Sequence, residues 1–221
     1  LMKVTTYENA EAFLERTQTT LEANEAVNSL MLGICLTLKQ HPERIKQPPC
    51  FKTVEDENGL VLSVVMTPPH ELIVSGHRDD IDDAIEALAE DLNAEGTTPP
   101  GSFGPKQVAL AFAQQWSAMT EQSYQLKSAQ RVWELREVQL PTPAHGHLRL
   151  AAESEVETLA VWWRGFYTDI WGSDGPDDAT EIVSQRVGDG RLYVWDLDGQ
   201  PVSMAIKTRP VRRGISVSMV Y

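Results

Sequence analysis

Cysteine is scarce: there are two in 221 residues. Cys35 sits in a helical pattern and Cys50 just ahead of a strand-like run, and neither belongs to a Cys-x-x-Cys or His/Cys array. That spacing argues against a disulfide scaffold or a structural zinc site, and predicts reduced thiols in a cytoplasmic setting. Basic residues are also few. With 19 Lys+Arg against 32 Asp+Glu, the formal net charge is -13, the wrong sign for a general nucleic-acid or anionic-membrane binder. No run approaches the roughly 18 apolar residues of a membrane span, and the N-terminus shows no secretory apolar core.

Catalytic and ligand motifs are missing in the same way. There is no Gly-x-Ser-x-Gly elbow for a serine nucleophile. Gly101-Ser102-Phe103-Gly104 precedes a helical pattern but lacks the Lys-Ser/Thr pair of a P-loop. The aspartates Asp79, Asp80, Asp82 and Asp83 lack calcium-loop spacing and read as the acidic first turn of a helix. His145 and His147 flank a glycine with no further ligands in view, so no metal is expected. Glu153, Glu155 and Glu157 read as a cap and a solvated face, with Ser154 and Glu157 as a capping box.

What is present is ordered. Met2–Thr6 reads as a strand, Asn9–Leu21 and Asn24–Gln40 as helices, the second with a clear apolar stripe. Phe51–Glu57 and Leu60–Thr67 form a hairpin across Asn58-Gly59, and Glu71–Ser75 a third strand. Amphipathic helices are expected over Asp79–Asn93 and Pro105–Met119, separated by a Gly/Pro loop at 96–104. Gln122–Val138 has mixed β character, and the two prolines of Leu140–Gly146 read as a linker.

The second half begins again with a strand (His147–Ala151), a helix to Ile170 and a second helix from Pro176 to Val187. Three β-patterned runs follow between Gly190 and Tyr221, the first two joined by Asp198-Gly199. The last, Ile215–Tyr221, turns apolar and reads as a strand entering a sheet interior. One order thus occurs twice: strand, two helices, three strands. The fold class is α+β (mixed α/β), with mostly antiparallel sheets flanked by helices. The expected domains are 1–139, a linker at 140–146, and 147–221.

This order, with HLRLAAESEVETL from His147, RLYVWDLDGQPVSMA and VSMVY, resembles the GNAT superfamily of N-acetyltransferases, and more narrowly its tandem members. The resemblance covers 146–221 with moderate specificity and 2–138 weakly. It implies acetyl-CoA as co-substrate and an amine acceptor, small molecule or peptide. In that family the pantetheine arm pairs with the backbone edge of the fourth strand, which maps onto Met219, Val220 and Tyr221, with a backbone N–H as oxyanion donor. The helix walling the acceptor pocket maps onto the segment bearing Tyr167, Asp169 and Trp171. Trp162, Trp163, Phe166, Tyr167 and Trp171 also read as core and domain interface, so both readings stand here.

The resemblance departs at the pyrophosphate turn. No Arg/Gln-x-x-Gly-x-Gly/Ala turn follows Tyr221, and the first half leads from Ser75 into an acidic helix start. The first domain is therefore expected to be a degenerate copy and the second an incomplete one. The chain is expected to bind acetyl-CoA poorly and to be inactive as it stands, acetyl transfer belonging to the complete form, and two copies are expected to pair through the open C-terminal strand. The alternative is a non-catalytic binding or assembly module on the same fold. Neither the catalytic base nor the acceptor is named by the sequence.

Overall fold

Asn58-Gly59 sets the first sheet. In the computed structural model, which describes residues 1–139, 144–172 and 174–221, Gly59 takes φ +107° and Asp56 Oδ1 accepts the Asn58 N–H at 2.8 Å. That turn joins β2 (Cys50–Asp56) to β3 (Gly59–Met66). β1 (Lys3–Thr6) and β4 (Leu72–Gly76) flank them antiparallel, and β5 (Ser102–Phe103) joins β4 in parallel. The sheet order is β1-β2-β3-β4-β5.

β3 is buried along nearly its whole length, as its continuous apolar run demands of a strand covered on both faces. One face carries α1 (Ala10–Glu22) and α2 (Glu25–Gln40): Phe13 packs on Phe51, and Ser75 Oγ donates to Asn28 Oδ1 at 2.7 Å. Asn9 caps α1 by accepting the Ala12 N–H. The other face carries α3 (Asp82–Ala94) and α4 (Lys106–Thr120), whose Leu88, Leu92, Phe112 and Trp116 cluster with Val54, Val64 and Val74.

Several expectations are corrected. α3 begins at Asp82, so Asp79 and Asp80 precede the helix. Pro105 caps α4 rather than opening it. The Gly/Pro loop contains β5, whose short pairing with β4 depends on long-range contacts no local pattern encodes. Gln122–Val138 forms no strand. Its apolar side chains have no sheet face to fill, and Leu126, Trp133 and Leu135 stand 81%, 83% and 75% exposed. β propensity without a packing partner does not make a strand.

Two compact units divide the chain, Leu1–Glu134 and Leu135–Tyr221. Residues 140–143 of the expected linker lie outside the described residues, as does Ser173. The second unit runs β6 (His147–Leu150), α5 (Val156–Trp171), α6 (Ala179–Gly188), β7 (Leu192–Leu197), β8 (Gln200–Thr208) and β9 (Ser216–Ser218). Its sheet is antiparallel throughout, in the order β6-β7-β8-β9. Asp198 and Gly199 both take positive φ, at +52° and +81°, as a type I′ hairpin requires.

The helix starts of this unit also differ from expectation. A 3₁₀ turn at Glu153–Glu155 precedes α5, and the cap is Glu155 accepting the Ala152 N–H at 2.7 Å, two residues ahead of Ser154–Glu157. Arg149 holds that turn to the sheet, donating to both oxygens of Glu155 and to Asp196 Oδ2. α6 begins at Ala179, beyond Pro176. α5 and α6 cover one sheet face, where Leu159, Ala160, Trp163 and Val183 meet Leu192, Val194, Met204 and Ile206. On the opposite face Leu148, Leu150 and Val217 are 60%, 49% and 64% exposed, with Tyr193 and Trp195 half-buried. In the first unit the corresponding face is the one under α3 and α4. Six helices and two sheets, one mixed and one antiparallel, make the described residues an α+β chain in which one element order occurs twice.

Candidate functional site

β9 lies at the edge of its sheet, not in the interior that its apolar sequence suggested. Ser216, Val217 and Ser218 pair regularly with Thr208, Lys207 and Ile206. Met219 then adopts φ +52°, a left-handed conformation costing a non-glycine residue about 1 kcal/mol. Pairing resumes at Tyr221: its N–H donates to Met204 O at 3.0 Å, and Met204 N–H donates back at 2.7 Å. Two residues, Met219 and Val220, therefore stand opposite Ala205 alone. This is a β-bulge, which interrupts the ladder and re-aims the strand.

The bulge separates the three residues mapped to the pantetheine edge. Met219 turns its side chain onto the core of the unit. Val220 is 62% exposed. The Tyr221 carbonyl is held twice, accepting also from Ser203 Oγ at 2.8 Å. Because β9 is an edge strand, the backbone facing away from β8 has no strand beside it among the described residues.

Tyr221 then reaches α5. Its ring meets Phe166 edge-on with centroids 6.4 Å apart, and its Oη donates to Asp169 Oδ2 at 3.0 Å. That hydrogen bond, with lesser contributions from burial and from the carboxylate charge, raises the Tyr221 phenol above its ordinary range. Tyr167 also meets Phe166 edge-on, with centroids 6.3 Å apart. Residues mapped separately to cofactor and acceptor, Tyr221 and Asp169, are thus in direct contact, and Tyr167 joins them through Phe166. Trp171 stands at the C-terminal end of α5, 51% exposed, and among the described residues no ring contact or hydrogen bond ties it to the others.

Sequence reasoning missed Ser203 and Gly165. Gly165 lies beneath the Tyr221 ring: a β-carbon there would sit 2.7 Å from Tyr221 Oη. A glycine in the middle of a good helix was the available signal, since it costs about 1 kcal/mol relative to alanine and asks for a reason.

In the first unit, the place where β4 and β5 run parallel is filled. The cavity there, lined by Asn28, Met31, Ser75, Phe103 and Gly104, has about 20 Å³, room for roughly one water. Nearby, Ser63 and His77 are hydrogen-bonded at 2.8 Å, and burial pushes the imidazole down to about 4, so it is neutral at pH 7. Among the described residues no group of His, Cys, Asp and Glu is arranged to hold a metal. His145 instead offers its carbonyl to Trp195 Nε1 at 3.0 Å. Glu153 and Glu157 line an open groove with Asp178 and Glu181 between α5 and α6. Among the described residues no helix is long and apolar enough to cross a membrane.

Comparison of the chain with protein-family models, with curated proteins and with solved structures gives no match.

Proposed function

We propose that the second unit is an acyl-transfer unit of GNAT type, moving an acetyl group from acetyl-CoA to an amine. The observation that carries this reading is the bulged edge at Met219–Val220 lying beside the Tyr221–Asp169 pair. An edge strand can accept the amide-bearing pantetheine arm as an added strand. A bulge frees an N–H from the ladder, where it can donate to the thioester carbonyl as negative charge develops on it. The amine nitrogen attacks that carbon, the new C–N bond forms, the C–S bond breaks, and the thiolate leaves as coenzyme A. The amine proton goes to a carboxylate or to water. Tyr167, Asp169 and Trp171 would face the acceptor, and the first unit, with its cavity of about 20 Å³, would serve as a non-catalytic copy.

Titration calorimetry with S-acetylpantetheine, the thioester arm without the pyrophosphate, tests the reading against the variant Val220→Pro, which removes one backbone donor at the bulge without changing charge. Heat of binding in the parent chain that falls at least severalfold in the variant supports it. Equal heats would remove the bulge from the account.

A second reading, a binding or assembly module, is favoured by the bare sheet face with Leu148, Leu150 and Val217 exposed and by the open β9 edge. No heat with S-acetylpantetheine, together with a dimer by light scattering, would select it.

A further inference from the structure

We propose that Gly165 is a positioning residue: its missing side chain forms the seat on α5 that holds the Tyr221 ring against Asp169 and so fixes the bulged end of β9 at the acceptor wall. The functional half of this inference rests on the acyl-transfer reading; the geometric half does not.

Among the described residues, few other contacts hold the chain beyond Ser218. Regular pairing of β9 stops at Ser218, and the chain then passes through the left-handed Met219. Beyond that point Tyr221 is held by its backbone pair with Met204, by Ser203 Oγ, by the edge contact with Phe166 and by the hydrogen bond to Asp169. Two of these four contacts are made by the side chain, and both are to α5. They exist only because the ring can approach the helix over Gly165. A β-carbon at that position would lie 2.7 Å from Oη, 3.1 Å from Cζ and 3.3 Å from Cε1. The first distance is one that real Cβ atoms essentially never show, so the ring would have to shift away from α5. Gly165 and Asp169 are four residues apart, so they lie on one face of α5. Seat and hydrogen-bond acceptor are therefore one element of the same surface.

Helix propensity makes the idea sharply testable, because alanine is otherwise the better residue in the middle of a helix. Gly165→Ala should lower the melting temperature while Tyr221 is present and raise it in a Tyr221→Ala background. That reversal of sign is a coupling that a glycine merely tolerated in the helix would not show. Tyrosine ring ¹³C shifts followed against pH give a second reading. The Tyr221 phenol titrates above the ordinary value of 10.0 in the parent and should return toward it in Gly165→Ala. The affinity for S-acetylpantetheine should fall by about tenfold in the same variant, as for a contact worth about 1.4 kcal/mol.

The same sign for Gly165→Ala in both backgrounds, or an unmoved Tyr221 titration, overturns the seat. Retained affinity beside a sign reversal would confine Gly165 to holding the strand and refute its role at the site. If the parent chain does not bind S-acetylpantetheine, the acyl-transfer reading fails, and the double-mutant cycle still decides the seat.

Discussion

Gly104→Ala should unfold the first unit at markedly lower denaturant, with a loss of about 3 kcal/mol or more, the scale of severe overpacking. Gly104 follows β5 at the point where the chain turns toward α4 across the backbone of β4. An added β-carbon would stand 2.1 Å from Val74 O and 3.3 Å from the carbon that bears it. The obstruction is backbone, not the far end of a flexible side chain. Val74 cannot retreat, since it is paired to Val64 in the middle of the sheet and packed under α3 and α4. β5 cannot retreat without giving up its two-residue register with Leu72 and Ile73 and the Leu72 N–H bond to Gly101 O. Gly96→Ala is the control. It places alanine at φ +71° with nothing within 4 Å of the new carbon, so it incurs conformational strain of about 1 kcal/mol and no collision. Equal losses for the two variants in chemical denaturation would show that β5 does not lie where it is described.

The second large effect concerns a lysine inside the sheet. Lys52 on β2 has a side chain only 1% exposed, and its Nζ lies 2.8 Å from both Asp91 Oδ2 and Glu95 Oε1 on and just beyond α3, and 2.6 Å from Thr6 Oγ1. Removing one partner of a buried pair costs about 3–5 kcal/mol. Here the carboxylates are 32% and 46% exposed and can take up water, which places Lys52→Ala near the low end, at about 3 kcal/mol. Lys52→Met keeps the volume and should lose less, because an apolar chain fills the site while the acids turn outward.

The pH dependence has a definite sign. Burial opposes the ammonium, but the Asp91 and Glu95 carboxylates that accept from it outweigh that effect and raise Lys52 above its ordinary value of 10.5. The folded state therefore holds its proton more tightly than the unfolded chain. The pair's contribution is complete below pH 10.5 and disappears as pH climbs through the higher folded value. Melting curves of the parent and Lys52→Met should converge above that pH, and a constant gap would contradict the assignment.

Lys52 also shows where sequence reading stops. It sits in a run, Phe51-Lys52-Thr53-Val54, that reads as an ordinary strand with a polar residue turned to solvent. Nothing local says that this face is covered, because the covering helix and its two carboxylates lie about forty residues further on. What the sequence did make legible was local chemistry. Asn58-Gly59 and Asp198-Gly199 placed both hairpins, and the periodicity of 24–40 and 79–93 placed two helices within a few residues. β5 was hidden because two residues of strand carry no period, and 122–138 misled because its β-forming side chains have no sheet face to pack against.

The candidate site was legible in the same uneven way. VSMVY suggested a strand and drew attention to Met219, Val220 and Tyr221, but its apolar character pointed to an interior strand rather than an edge. A bulge at a methionine has no sequence signature, so the contact between Tyr221 and Asp169 could not be read in advance. The two residues are 52 positions apart and meet only because the ladder slips by one residue at Met219. Gly165, by contrast, was visible as an anomaly in the helix and was passed over.

The measurement that tests the account most directly is an NMR titration of the chain with S-acetylpantetheine, which carries the thioester arm without the pyrophosphate. The account predicts that the backbone amides of Val220 and Tyr221 shift together with the Trp171 indole, while the amides lining the small cavity between β4 and β5 stay still. Shifts confined to the first unit, or no shift at Val220 and Tyr221 at saturating ligand, would contradict an acyl-thioester site on the bulged edge of β9.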